Sequence, residues 1–103
     1  MTYTKISQQE AKAIMDGSAP FIVLDVREQS EYLEGHIPGA ILLPHEKVSE
    51  LAGQLLPDKD ALILVYCRSG RRSEIAAQAL ADLGYSNVKE FGGIIDWKYE
   101  IVT

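Results

Sequence analysis

Two uninterrupted apolar runs stand out along the chain, FIVLDV at 21–26 and ALILVYC at 61–67. Neither alternates between apolar and polar positions. Runs of this kind suit strands buried on both faces, as in a parallel sheet covered by helices. Shorter strands are predicted at 40–43 (AILL), at 87–91 (NVKEF) and at 3–5. Between them the pattern turns helical. Val48, Leu51, Ala52 and Leu55 lie on one face of a helix within 45–56. Ala76, Ala79, Leu80 and Leu83 repeat that stripe, with Gly84 at the C-cap position. Ser7 and Glu10 have the capping-box spacing, and Gly17 follows as a stop. EQSEYLE at 28–34 predicts a short helix ended by Gly35, and a last short helix is expected over 94–99.

Strand and helix therefore alternate throughout, which predicts an α/β architecture with right-handed crossovers. The 103 residues read as one domain, 1–103, without an internal repeat, a low-complexity segment or a linker. At 47% hydrophobic, the chain can pack a core without disulfides or a metal. A single cysteine excludes an internal disulfide and fits a reducing compartment. Two histidines and one cysteine are too few for a structural zinc site, and no metal or cofactor is expected. The N-terminal stretch MTYTKISQQE has no apolar signal core, and no stretch reaches the apolar length of a membrane span. A cytoplasmic location is the expectation.

Charge changes this picture in one place. The net charge is −5, which argues against a broad nucleic-acid or anionic-membrane surface. Yet YCRSGRRSE, at 66–74, holds the sole cysteine and three of the four arginines. That reads as a local site for a small anion. Cys67 directly follows the strongest strand, and ligands of open α/β sheets bind outside the carboxyl ends of strands. The next residues lead into a helix expected to start near Ser73, whose first amides and dipole favour negative charge. Gly70 lets the backbone curl so that several amides can point at one spot. Helix N-termini and nearby cations favour thiolate, the nucleophilic form. No general base is then required, and no Cys–His signature is visible. The bland alternative is an inert buried cysteine beside solvated arginines. Strand-end position, Gly70 and the clustering of arginine in an acidic chain favour a reactive thiol.

Other polar residues read as structural. Asp25 and Arg27 suit a hydrogen-bonded pair that fixes loops better than an acid and an anion clamp. His36 is expected to hydrogen-bond and shape the turn at 37–39. His45 receives no role. Trp97 is expected in the core, and Gly92 and Gly93 in a tight turn after the last strand.

Taken together, CRSGRRS (67–73) resembles the active-site loop of single-domain rhodaneses, roughly C-R-x-G-x-R. LDVREQSEYLEGHIPGA (24–40) is similar to the family's D-x-R-x-x-x-E-[YF]-x-x-G-H-I-x-G-A region, LLPHEKV (42–48) to the stretch after it, and FGGIIDW (91–97) to the closing G-G-x-x-x-W. The order and spacing agree along nearly the whole chain. The resemblance implies a central five-stranded, mainly parallel sheet with helices on both faces. It also implies sulfurtransfer, with Cys67 as the catalytic nucleophile. Cys67 would take the outer sulfur of thiosulfate or a similar small anionic donor as a persulfide, then pass it to cyanide, a small thiol or a protein thiol. The substrate-binding loop would comprise Arg68, Ser69, Gly70, Arg71 and Arg72. Arg68 and Arg71 would meet the anionic group, and Arg72 would close the loop.

The chain departs from the family after Trp97, where KYEIVT lacks a Gly-Tyr-Pro-like tail. Two other functions are weighed. Phosphatases and arsenate reductases on the same scaffold carry C-x5-R; here Cys67 to Arg72 is C-x4-R, and Ser73 follows. The shorter loop suits a sulfur atom, the longer one a phosphate. Non-catalytic binding modules of this type usually lack the loop cysteine, which is present here.

Overall fold

Both apolar runs become inner strands of one sheet. In the computed structural model, which describes residues 2–103, the elements are β1 (Thr4–Lys5), α1 (Gln8–Asp16), β2 (Ile22–Asp25), α2 (Gln29–Glu34), β3 (Ile41–Leu42), α3 (Val48–Leu55), β4 (Ile63–Cys67), α4 (Arg71–Asp82) and β5 (Val88–Gly93). The sheet order is β1-β5-β4-β2-β3, and every strand pairing is parallel. The expectation of a mainly parallel sheet is thus sharpened to an all-parallel one. β4 is central, and all five of its residues are buried.

Alternation along β4 divides the core into two layers. Ile63, Val65 and Cys67 face Val48 and Ala52 of α3 and Ala76, Ala77 and Leu80 of α4. Leu64 and Tyr66 face the opposite way, toward Ala11 of α1, Ile37, Phe91 and Trp97. Cys67 therefore starts life as a core position on the α3–α4 side. Its chemistry is decided by what lies at the end of that layer.

The capping box of α1 is present in full. Glu10 N–H donates to Ser7 Oγ at 3.0 Å, and Ser7 N–H donates to Glu10 Oε1 at 2.9 Å. Such a cap is worth about 1 kcal/mol. Among the described residues, no helix is long and apolar enough to cross a membrane.

Four sequence expectations need correction. The helix within 45–56 is divided: a 3-10 turn at His45–Lys47 precedes α3. The His45 amide donates to Val26 O at 3.0 Å, so the chain is tied to the end of β2 and enters the helix through a tighter turn. α4 begins at Arg71, earlier than Ser73, because left-handed Gly70 (φ 111°) reverses the chain directly into it.

Gly92 and Gly93 belong to β5 and do not form a turn after it. They are needed for close approach instead. A Cβ on Gly93 would overlap the Arg68 carbonyl and Ser69 Cα, and Gly92 sits at φ 93°. Cys67 pairs with Gly93 after a register shift that follows Val65. Last, 94–99 holds only a 3-10 turn, Ile94–Asp96. Trp97 is already extended (φ −75°, ψ 121°), and the tail runs on to pair Val102 with His36 through two backbone hydrogen bonds of 2.8 and 2.9 Å.

Candidate active site

At the carboxyl end of β4 the backbone turns through Arg68, Ser69 and Gly70 into α4. The Gly70 amide points back and donates to Cys67 Sγ at 3.0 Å. Among the described residues it is the one backbone amide at the sulfur, where the sequence suggested several. The first amides of α4 lie immediately beyond and lack partners within the helix. Cys67 itself is only 1% exposed.

The loop arginines divide into two kinds. Arg68 and Arg71 are exposed, and neither side chain takes part in an ion pair among the described residues. Arg72 is engaged: it donates through Nη1 and Nη2 to Glu31 of α2 at 2.7 and 2.9 Å. This bidentate bond, aided by the Glu28 amide at 3.1 Å, holds the Glu31 carboxyl down to about 2 against the opposing effect of burial. Arg72 is in turn raised, chiefly by Glu31 and to a lesser degree by the Cys67 charge. The placement fits an arginine that closes the loop; its guanidinium is not free to be the first contact of an incoming anion. Ser69 lies exposed on the rim.

Beside the loop runs an open cleft of about 300 Å³, lined in part by Arg27, Glu31, Arg68, Ile94 and Ile95. Arg27, which lines it, belongs to a buried polar network. Arg27 Nη2 and Nε donate to Asp25 Oδ2 and Oδ1 at 2.7 and 3.0 Å, and Tyr66 Oη donates to Asp25 Oδ2 at 2.5 Å. Arg27 also donates to Gly35 O at 2.7 Å. Asp25 is fully buried and Arg27 nearly so. Burial opposes the charge on Arg27, but the Asp25 hydrogen bond and charge outweigh it and raise its pKa. Burial, then Asp25, push Tyr66 well above the ordinary phenol range. The hydrogen-bonded pair expected at Asp25 and Arg27 is present.

His36 and Trp97 also take the expected structural places. His36 Nδ1 lies 2.9 Å from Tyr32 O, with its ring stacked on Tyr32 at a 3.7 Å centroid distance. Trp97 packs on Phe91 and donates Nε1 to Glu100 O at 3.2 Å. His45 stays outside the site. With Glu28 and Glu46 it brings ligand atoms within 4.8 Å of one another, but exposed carboxylates commonly gather so and argue for no ion.

Two residues at the sulfur were not singled out from the sequence. Ser73, fully buried on α4, lies with Oγ 3.4 Å from Cys67 Sγ. Its Oγ is also 2.5 Å from Oε2 of Glu90, which is fully buried on β5. The signal was present in NVKEF. Strand alternation sends Val88 and Glu90 to one face, and Val88 belongs to the Cys67 layer. A carboxylate sharing a core face with the only thiol demands a partner.

This arrangement defines a class: an all-parallel α/β sheet whose central strand delivers a cysteine into a short amide loop opening a helix, the rhodanese-like fold. The comparisons agree. The family profile described as Rhodanese-like domain matches residues 7–100. The chain is 38% identical to the thiosulfate sulfurtransferase PspE of Escherichia coli over 71% of this chain and 70% of that protein. It is 35% identical to the thiosulfate sulfurtransferase GlpE of Coxiella burnetii over 95% and 90% of the respective chains. Among solved structures, a rhodanese with anions from E. coli superposes with a TM-score of 0.76 at 34% identity, covering 82% of this chain and 99% of that one. The chain belongs to the rhodanese-like domain family, as a rhodanese-type sulfurtransferase.

Proposed function

We propose that the chain, as a single domain over 1–103, moves sulfane sulfur from thiosulfate or a similar anionic donor to a thiol or cyanide through a persulfide on Cys67. The observation that carries this reading is the Gly70 amide aimed at Cys67 Sγ at 3.0 Å, at the start of a helix and in a loop that carries the exposed Arg68 and Arg71. A donor amide at that place stabilises negative charge on sulfur, in the manner of an oxyanion hole.

In the first half-reaction the Cys67 thiolate attacks the outer sulfur of thiosulfate. A new S–S bond forms at Cys67, the donor's S–S bond breaks, and sulfite leaves with the electron pair. Arg68 and Arg71 draw in the sulfonate, and the E. coli structure similar to this chain is itself a rhodanese with anions. Because Cys67 is buried, a slender terminal sulfur reaches it where a bulkier group does not. In the second half-reaction an acceptor thiolate or cyanide attacks the outer persulfide sulfur, and Cys67 thiolate is released for the next turn. PspE and GlpE carry the name thiosulfate sulfurtransferase, which supports the choice of donor.

The test is sulfur transfer from thiosulfate to cyanide by the wild type and by Cys67→Ser. The serine hydroxyl is far less nucleophilic and forms no persulfide, so transfer is expected to vanish while the fold is kept. Transfer that survives in the folded variant contradicts the reading. Aryl phosphate hydrolysis is expected to be negligible in both; efficient hydrolysis dependent on Cys67 favours a phosphatase instead.

A further inference from the structure

Ser73 has one hydroxyl hydrogen and four neighbours that could claim it. Oγ lies 2.5 Å from Glu90 Oε2, 3.0 Å from Gly70 O, 3.4 Å from Gly92 O and 3.4 Å from Cys67 Sγ. The shortest contact takes the hydrogen, so Ser73 donates to Glu90 and turns a lone pair toward Cys67. A thiol satisfies that lone pair by donating S–H to it. A thiolate faces it without a proton between them, which is unfavourable in a buried site. The thiolate becomes well partnered only when Ser73 turns its hydrogen toward sulfur, and that requires a proton on Glu90.

Glu90 is built to take one. It is fully buried on β5. Its Oε2 accepts from Ser73 and from the Gly92 amide at 2.8 Å, while its Oε1 is buried without a hydrogen-bond donor among the described residues. A buried, half-satisfied carboxylate is costly in its charged form. The charged groups around the pair are few. Lys5 of β1 pairs with Oε1 at 3.5 Å and forms a closer ion pair with Glu74 of α4. On the sulfur side, the Arg72 charge and the Gly70 amide face Cys67.

We propose that Glu90, acting through Ser73, is the internal proton acceptor for Cys67. The S–H bond breaks as its proton passes to Ser73 Oγ, and the Ser73 O–H bond breaks as that proton passes to Glu90 Oε2. The products are a thiolate that receives hydrogen bonds from Ser73 and Gly70, an unchanged serine and a neutral Glu90. Charge is conserved, and the buried negative charge moves to the sulfur, where the amide and Arg72 favour it. Glu90 is thus a positioning residue for the proton. The nucleophile gains a base without any histidine. The idea rests on Cys67 being the reactive thiol of the proposed function.

The test is the pH–rate profile of Cys67 alkylation by iodoacetamide in the wild type, Glu90→Gln and Ser73→Ala, with folding of each checked by circular dichroism. Glutamine keeps the acceptor for Ser73 but takes no proton. Both variants are expected to react at least about tenfold more slowly at pH 7, and all three proteins are expected to converge at alkaline pH, where water removes the proton. Simple electrostatics predicts the opposite sign for Glu90→Gln, because removing a buried anion favours a neighbouring thiolate. Unchanged or faster alkylation of Glu90→Gln at pH 7 therefore overturns the relay. Where Glu90→Gln does not fold, Ser73→Ala decides alone, and wild-type rates in that variant overturn it equally. No sulfur donor enters the assay. A wild type that alkylates as predicted yet takes no sulfur from thiosulfate refutes the transferase reading and leaves the relay standing.

Discussion

Two adjacent strands, β2 and β4, each lead into charged residues at the same edge of the sheet, and the two ends are put to different uses. At the end of β2, Arg27 is buried and its guanidinium is consumed by Asp25 and Gly35 O, with Tyr66 completing the carboxylate. At the end of β4, Arg68 and Arg71 are exposed and without an ion pair among the described residues, beside a thiol that accepts from an amide. Residue type does not separate the two regions. Partnership does: Arg27 is held by a buried carboxylate and a carbonyl and fixes shape, whereas an exposed cation without an ion pair can bind an anion. Arg72, bound to Glu31 across the gap between α4 and α2, joins the regions.

Asp25→Ala leaves the buried Arg27 without its counterion, a class of change that costs about 3–5 kcal/mol. Chemical denaturation is expected to show that loss, while whatever protein remains folded still alkylates at Cys67. Arg71→Ala is the converse. It is expected to leave the denaturation midpoint nearly unchanged and to raise the KM for thiosulfate about tenfold, or ~1–2 kcal/mol. Neutral sulfur donors should be affected less. Equal losses for charged and neutral donors would show that Arg71 shapes the loop and does not bind the anion.

The smallest effect belongs to the joining pair. Arg72 lowers the Glu31 carboxyl from 4.5 to about 2, so its stabilisation is complete above about pH 4.5 and is lost as pH falls toward 2. Allowing for solvent screening of a part-exposed pair, the change amounts to roughly 1 kcal/mol. Glu31→Gln should flatten the stability profile across that acid window and leave it unchanged near neutrality in shape. A profile identical to the wild type between pH 4.5 and 2 would contradict the pairing.

Much of this was legible in the sequence, and the remainder was hidden for definite reasons. The apolar runs revealed β2 and β4 because strands covered on both faces need no polar alternation. Ser7 and Glu10 revealed the start of α1 because capping is local. The start of α4 was misplaced because Gly70 reverses the chain in a single residue, something no periodicity reports. The role of Gly93 was hidden because it concerns contact with Arg68, which lies 25 positions earlier in the chain. Cys67 and its arginines were visible as a cluster in one segment. For Glu90, alternation in NVKEF signals only the face; the sheet alone brings β5 beside β4 and sets the carboxylate next to Ser73.

In the proposed reaction Cys67 carries the transferred sulfur. The most direct test is the intact mass of the protein after thiosulfate treatment and removal of excess donor, before any acceptor is added. The account predicts a wild type heavier by one sulfur atom, returning to its starting mass when cyanide is added, and a Cys67→Ser variant that gains nothing. A wild type that gains no sulfur while it still transfers sulfur to cyanide, or an equal gain in Cys67→Ser, would contradict it.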